Sequence, residues 1–404
     1  MPLVVQKFGG TSVADPDRMR SVAEYVALTR RRGSDVVVVV SAMGKETDAL
    51  IRLADEVATR QPGREWDMLV TAGERKSMAL LTMALHDHDC PAESFTGSQA
   101  GIVTDTAHTK ARIIEIKPAR IERALAEGKV AVVGGAQGVS TDSDVTFLGR
   151  DASDITAVAL AHALGAESCE LYTDVPGVFT ADPRLVPAAR RLAALSFDEM
   201  LEMCGAGCPK PAMRSVEFAR TYGVRLHVRS SFTWEPGTWI REEDPSMEQP
   251  IVSAVVHDVS EAKVTVTHVP DEPGIAARLF GSLAERRINV DMIVQNTSVH
   301  GTTDISFTVP KADLAVAEEV CRAHAGEIGA AEVTTVGTIA KVSLVGAGMK
   351  TNPGVSARMF SVLADLGINI EMISTSAIRI TCVVGADRVE DAVTALHEAF
   401  GLAK

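Results

Sequence analysis

Residues 271–293, DEPGIAARLFGSLAERRINVDMI, align without a gap on residues 351–373, TNPGVSARMFSVLADLGINIEMI, with eleven identities in twenty-three positions. Such a repeat constrains the fold strongly, because each copy is one supersecondary unit that must bury its apolar face against a neighbour. Each copy has a strand-like run ahead of it (EAKVTVTHV, 261–269; KVSLVGAG, 341–348), then a Pro-Gly turn, a helical stretch and a strand. The first copy continues through GTTDISFTVP (301–310), a helix near 311–325 and AEVTTVGT (331–338), which gives βαββαβ. The second continues through IRITCVVG (378–385) and a helix near 387–400, then stops before a last strand. The run PIVSAVVHD (250–258) is expected to complete the second copy's sheet, which would otherwise leave an edge unpaired. The two modules would then be entwined as one unit.

The N-terminal half reads differently. Apolar runs LVVQKF (3–8), DVVVVVSA (35–42), KVAVVGG (129–135) and SCELYTD (168–174) alternate with amphipathic stretches such as DRMRSVAEYVALTRRRG (17–33). Fully apolar strands alternating with helices predict an α/β region with a mostly parallel sheet covered on both faces. Ligands of such sheets bind at the carboxyl ends of the strands, where KFGG, SAMG, GGAQG and YTDVPG fall. KFGG offers a turn that needs glycine, or a phosphate cradle in which Lys7 supplies charge and Gly9 and Gly10 admit an anion. The Pro- and Gly-rich stretch 236–250 is expected to be a linker. It divides a domain at 1–235 from modules at 263–338 and at 251–262 plus 339–404.

The formal charge of −13 argues against nucleic acid as a general partner, although a local basic pocket can still take an anionic substrate. The six cysteines are scattered and fit a reducing cytoplasm rather than a disulfide framework. The longest apolar run, VVVVVSAM (36–43), is far too short to cross a membrane, and no signal peptide is legible. His86 and His88 stand two apart on a helical stretch, hence on different faces, and read as solvated surface rather than a metal pair. No metal site built from side chains is expected.

The motifs KFGGTS, VVVSAMG, GERKSMAL, SFTGSQAGI, LGRxxSD, YTDVPGVFTADPR and RSVEFAR stand in that order ahead of the double repeat. Together they closely resemble the bacterial aspartate kinases, over essentially the whole chain, and most of all the actinobacterial lysine- and threonine-controlled branch. The resemblance implies an amino-acid-kinase fold followed by two ferredoxin-like ACT modules. It also implies ATP with Mg²⁺, and phosphorylation of the side-chain carboxylate of L-aspartate to 4-phospho-L-aspartate. A carboxylate acceptor is already ionised at neutral pH, so cations and N–H donors rather than a general base should dominate the site.

On that resemblance Lys7, with Gly9 and Gly10, faces the γ-phosphate and Asp154 orients Lys7 or the substrate. Ser41, Thr47, Glu74, Arg150 and Ser153 contact substrate. Glu74 takes the α-ammonium, and Arg150 pairs with a carboxylate as a planar guanidinium does best. Thr173, Asp174, Asp182, Arg184 and Lys210 approach the nucleotide. Asp271, Gly274, Ala276, Asn289, Asp291 and Gln295 form one wall of an effector site for lysine or threonine. Ser356, Asn369, Ile370 and Ser376 of a second copy form the other, making a homo-oligomer through the ACT modules.

Three departures bear on the substrate. Asp151 and Ala152 replace a glycine pair, Ala136 stands where a phenylalanine is common, and Pro209 occupies the usual lysine position, with Lys210 one place on. Ala377 stands where relatives carry glutamate. These leave open a paralogue acting on a related amino acid, or a catalytically weak amino-acid-binding regulator. Another kinase of the same fold, acting on glutamate, N-acetylglutamate or a nucleotide, fits the repeat less well. In relatives an internal start near Met247 yields a separate small subunit and an α2β2 assembly, which protein sequence leaves open here.

Overall fold

The computed structural model describes residues 1–242, 250–296 and 301–404. The chain divides into two compact units: 1–178, 191–204 and 209–246 form the first, and 179–190, 205–208 and 247–404 the second. Met247 lies outside the described residues.

The first unit is built on an eight-stranded sheet. Its strands run in the order Ala194–Ser196, Thr238–Arg241, Leu226–Ser230, Ser168–Thr173, Leu3–Phe8, Asp35–Val40, Val130–Gly134 and Ala92–Phe95. All neighbours are parallel except Leu226–Ser230 against Thr238–Arg241. The central register aligns Phe8 with Val40 on one side and Tyr172 on the other. KFGG, SAMG and YTD therefore leave the sheet at one edge, as expected for a parallel α/β sheet. Helices Pro16–Arg31 and Ala72–His86 cover one face, burying Met19, Val22, Leu81 and Leu85 against Val36, Val38 and Val40. Helix Ser153–Ala163, buried over its first nine residues, packs on the central strands. Helix 16–31 begins where the Asp15 carboxylate accepts from Arg18 N at 2.9 Å, and Pro16 occupies its first position. A second sheet of strands Ile113–Ile116, Ile102–Thr104, Gln137–Ser140 and Val145–Phe147 was not legible in the sequence, since three- and four-residue strands carry almost no periodic signal.

In the second unit, Glu261–Pro270, Ile293–Gln295, Thr302–Pro310 and Glu332–Val336 make one four-stranded antiparallel sheet. Ala254–Asp258 pairs antiparallel with Ile339–Val345 in the other, beside Arg379–Gly385 and Met372–Thr375. The strand ahead of the first repeat thus lies in the second repeat's sheet. Gly274 and Gly354, equivalent in the repeat, both start their helices with φ near +95° (95° and 97°), a left-handed turn that glycine adopts at no steric cost.

Two expected boundaries change. Part of the 236–250 linker is sheet: Thr238 and Ile240 are buried, and Thr238–Arg241 pairs with Leu226–Val228, so alternation within a short run outweighed the flanking Pro and Gly. Residues 179–190, assigned to the first domain, belong to the second unit. Ala181 and Val186 enter the second repeat's core, Val255 N donates to Thr180 O at 2.8 Å, and Thr180 Oγ1 meets His397 Nε2 at 2.9 Å.

Candidate active site

The strand ends of the first unit open into one cleft lined by Lys7, Gly9, Gly10, Ser41, Thr47, Glu74, Arg150, Ser153, Thr173, Asp174 and Lys210. Every residue expected to touch substrate is therefore gathered there. So are Thr11, Lys45, Asp48, Ala136, Phe147 and Asp151, most of which the motifs did not single out.

At the floor, Lys7 Nζ lies 2.6 Å from Asp154 Oδ1, and both side chains are almost wholly buried. Lys7 is the penultimate residue of the first strand, and Asp154 is in the first turn of helix Ser153–Ala163. Ser41 Oγ donates to Ser153 Oγ at 3.0 Å, tying the second strand's tip to the same helix. Gly10 permits close packing here: a Cβ would meet Ala42 O at 3.0 Å and Gly44 O at 3.1 Å, while Gly44 N already donates to Gly10 O. An anion brought to this edge meets the Lys7 ammonium beside a glycine turn with no side chain in its way.

Glu74 stands in the first turn of helix Ala72–His86, which approaches the second strand's tip so closely that a Cβ on Gly73 would lie 2.7 Å from Ala42 Cβ. Burial pushes the Glu74 carboxyl up to about 7, against the backbone N–H groups of Glu74 and Ala42 that favour its charge. Its Oε2 is buried with no hydrogen-bond partner among the described residues. A buried acceptor of this kind fits an ammonium group.

Two further cations, Arg150 and Lys210, are paired across the mouth. Arg150 donates to Asp48 Oδ1 at 3.0 Å, with two thirds of its side chain exposed. Lys210 donates to Asp151 Oδ1 at 2.7 Å. Burial opposes charge on Asp151, but the hydrogen bond and charge of Lys210, with Lys7 and Arg150 nearby, hold it below the usual carboxylate range. Lys210 thus remains at the cleft although Pro209 takes the expected position. Asp48 was missed by sequence reasoning; its one signal was an acid beside Thr47 in the first turn after SAMG.

Asp182 and Arg184 belong to the second unit, where they pair with each other at 2.7 Å within 179–190. The expected effector residues take equivalent places in the two repeats. Asp271, Gly274 and Ala276 surround the start of helix Ile275–Glu285, as Ser356 does that of Val355–Asp365. Asn289 and Asp291 lead into the edge strand that carries Gln295. Asn369 and Ile370 lead into strand Met372–Thr375, and Ser376 follows it. Asp291 already accepts from Lys341 at 2.8 Å.

Among the described residues no group of three or more His, Cys, Asp or Glu side chains could hold a metal ion. No helix among them is long and apolar enough to cross a membrane.

The amino acid kinase family profile matches residues 2–230, and an ACT domain profile matches 264–324 and 342–400. The aspartokinase of Mycolicibacterium smegmatis is 53% identical over 407 residues, spanning 100% of this chain and 97% of that protein. Escherichia coli aspartokinase III in complex with aspartate and ADP, in the R-state, superposes with a TM-score of 0.81 at 26% identity, covering 98% of this chain and 99% of that one. The same enzyme with lysine and aspartate, in the T-state, gives 0.78 at 26% identity and covers 99% of each chain. With a full-length match to aspartokinases, a cleft at the strand ends and the double ACT repeat, this chain belongs to the aspartokinase branch of the amino acid kinase family.

Proposed function

We propose that this cleft phosphorylates the side-chain carboxylate of L-aspartate, with ATP as donor, through the residues placed there. The observation that carries the reading is the buried Lys7–Asp154 pair at 2.6 Å, at the point where three strand tips converge. A carboxylate oxygen of the substrate attacks the γ-phosphorus, the bond to the ADP oxygen breaks, and no proton need move. Lys7 offsets charge on the transferring group, and Asp154 fixes the lysine's position. Arg150 takes the substrate's α-carboxylate and Glu74 its ammonium. The ammonium keeps Glu74 ionised at a pH where burial alone would leave it half protonated. Thr173, Asp174 and Lys210 serve the nucleotide.

Mg²⁺ would arrive largely coordinated by the nucleotide phosphates, and Asp174 in the cleft lining is a carboxylate that could hold it. A bound Mg²⁺ would offset negative charge on the transferring phosphoryl group.

A hydroxamate assay with purified protein, ATP, Mg²⁺ and L-aspartate reads the acyl phosphate directly. Signal with aspartate that disappears in Lys7→Ala supports this reading. A folded protein silent with aspartate refutes it. Ala136, buried beside Phe147 in the cleft wall, leaves room for a bulkier acceptor, so 3-substituted aspartates belong in the same panel. Signal with those alone moves the activity to a related amino acid.

For regulation we infer that lysine and threonine act together through the ACT modules; the T-state complex of the E. coli enzyme with lysine supports the lysine part by analogy. An effector inhibits only by binding the inactive arrangement better. An unchanged rate with millimolar amounts of both, at subsaturating aspartate, would sink this part of the reading.

A further inference from the structure

Each of three cleft cations already has a carboxylate partner: Lys7 with Asp154, Arg150 with Asp48, and Lys210 with Asp151. The first pair is buried and built into the sheet edge. The third is different in kind. Asp151 has φ +57°, a conformation few residues with a side chain adopt, although aspartate and asparagine tolerate it better than most. Strained backbone retained in a ligand cleft points to a use. The Asp151 side chain is 60% exposed, against 34% for Lys210, so the carboxylate has solvent to turn into when its partner leaves. Lys210 also feels the charges of Asp154 and Asp174, both at the nucleotide side of the cleft. Its loop is tied to that side by Ala212 N, which donates to Asp154 Oδ2 at 3.4 Å.

We propose that Asp151 is a placeholder for nucleotide phosphate: it holds Lys210 over the cleft in the free protein and releases it to ATP. This rests on the ATP-dependent reading above. The exchange sets a weaker nucleotide affinity than Lys210 alone would confer, because each binding event must first part the 2.7 Å pair. Asp151 is thus a positioning residue that acts through Lys210, and its charge need never touch substrate. Lys210 keeps three donors, so the transfer requires only a swing of its flexible stem.

The test is a double-mutant cycle on the full chain, reading the Kd for ATP with Mg²⁺ by calorimetry in the absence of aspartate. Asp151→Asn keeps the shape and the left-handed backbone while removing the charge, and Asp151→Gly is the second variant should the first fold poorly. Either is expected to tighten ATP binding about two- to fivefold, the range for a half-exposed charge pair. In a Lys210→Met background the same change is expected to do almost nothing. A Kd unchanged or raised by Asp151→Asn overturns the proposal. An equal gain in the Lys210→Met background also overturns it, since plain repulsion between Asp151 and phosphate would then explain the effect. ATP binding that ignores Asp151 sinks this inference alone; no ATP binding in any folded variant sinks the kinase reading with it.

Discussion

Lys341 Nζ lies 2.8 Å from Asp291 Oδ2, joining the second ACT module to the first, and the repeat makes the contact reciprocal: Lys263 of the first pairs with Glu371 of the second. Asp291 and Glu371 occupy the same repeat position, eighty residues apart. Between the two bridges Met292 and Met372, also repeat equivalents, pack with Ile339 and Val383. Lys341 is 2% exposed and has Glu261 at 2.9 Å and Asp258 at 3.6 Å as well.

Lys341→Met should therefore destabilise the protein by about 3–5 kcal/mol, since it strands several carboxylates around one buried point. Burial lowers the Lys341 pKa, but Asp291 and Glu261 outweigh it and the net shift is upward. A raised lysine pKa contributes fully below 10.5, the unfolded value, and fades only above it, so the loss should be flat from pH 6 to 9. Urea melts across that range check this, and a loss that varied with pH there would contradict the assignment.

Lys7→Ala should cut kcat by about a hundredfold or more, as removal of a preorganised charge at a reacting group does. It also leaves Asp154 buried without its ion-pair partner, so the melting temperature should fall. Lys7→Ala with Asp154→Asn should recover part of the stability and none of the rate. Hydroxamate kinetics beside thermal melts separate the two effects, and a double variant with restored turnover would contradict the charge role.

Glu74 has a raised carboxyl pKa, so the folded state holds its proton between pH 4.5 and about 7 while the unfolded chain does not. Stability from this group is thus lost as pH rises through that window, by at most about 3 kcal/mol at 1.36 kcal/mol per pKa unit. Glu74→Gln should raise the melting temperature at pH 8 and raise the KM for aspartate at least tenfold. In the parent protein the KM for aspartate should climb as pH falls below about 7. A KM unmoved by the substitution would remove Glu74 from the ammonium site.

Gly73→Val should raise the KM for aspartate more than that for ATP. Its side chain would collide with Ala42, 2.7 Å away at Cβ, and push the first turn carrying Glu74 away from the cleft. Steady-state kinetics with each substrate varied in turn give the ratio, and equal changes in both would point to general loosening instead.

The sequence by itself determined the architecture. Apolar β-branched runs alternating with amphipathic stretches fix a parallel sheet, because no other arrangement buries such strands on both faces. The ungapped repeat fixes two like modules, and the lone strand 254–258 had one unpaired edge to fill. Lys7 was legible because strand-end loops are where a parallel sheet collects its ligands, whereas Glu74, Arg150 and Lys210 were legible only through the family motifs that carry them. Tertiary structure decided everything that depends on pairing across long separations. No local pattern links Asp48 to Arg150, 102 residues on, or Asp151 to Lys210, 59 residues on. Nor could local chemistry show that Thr180 would bond His397 and carry Asp182 and Arg184 into the second unit. Periodicity reports which face of an element is buried; what that face meets depends on contacts that form only once the chain is folded.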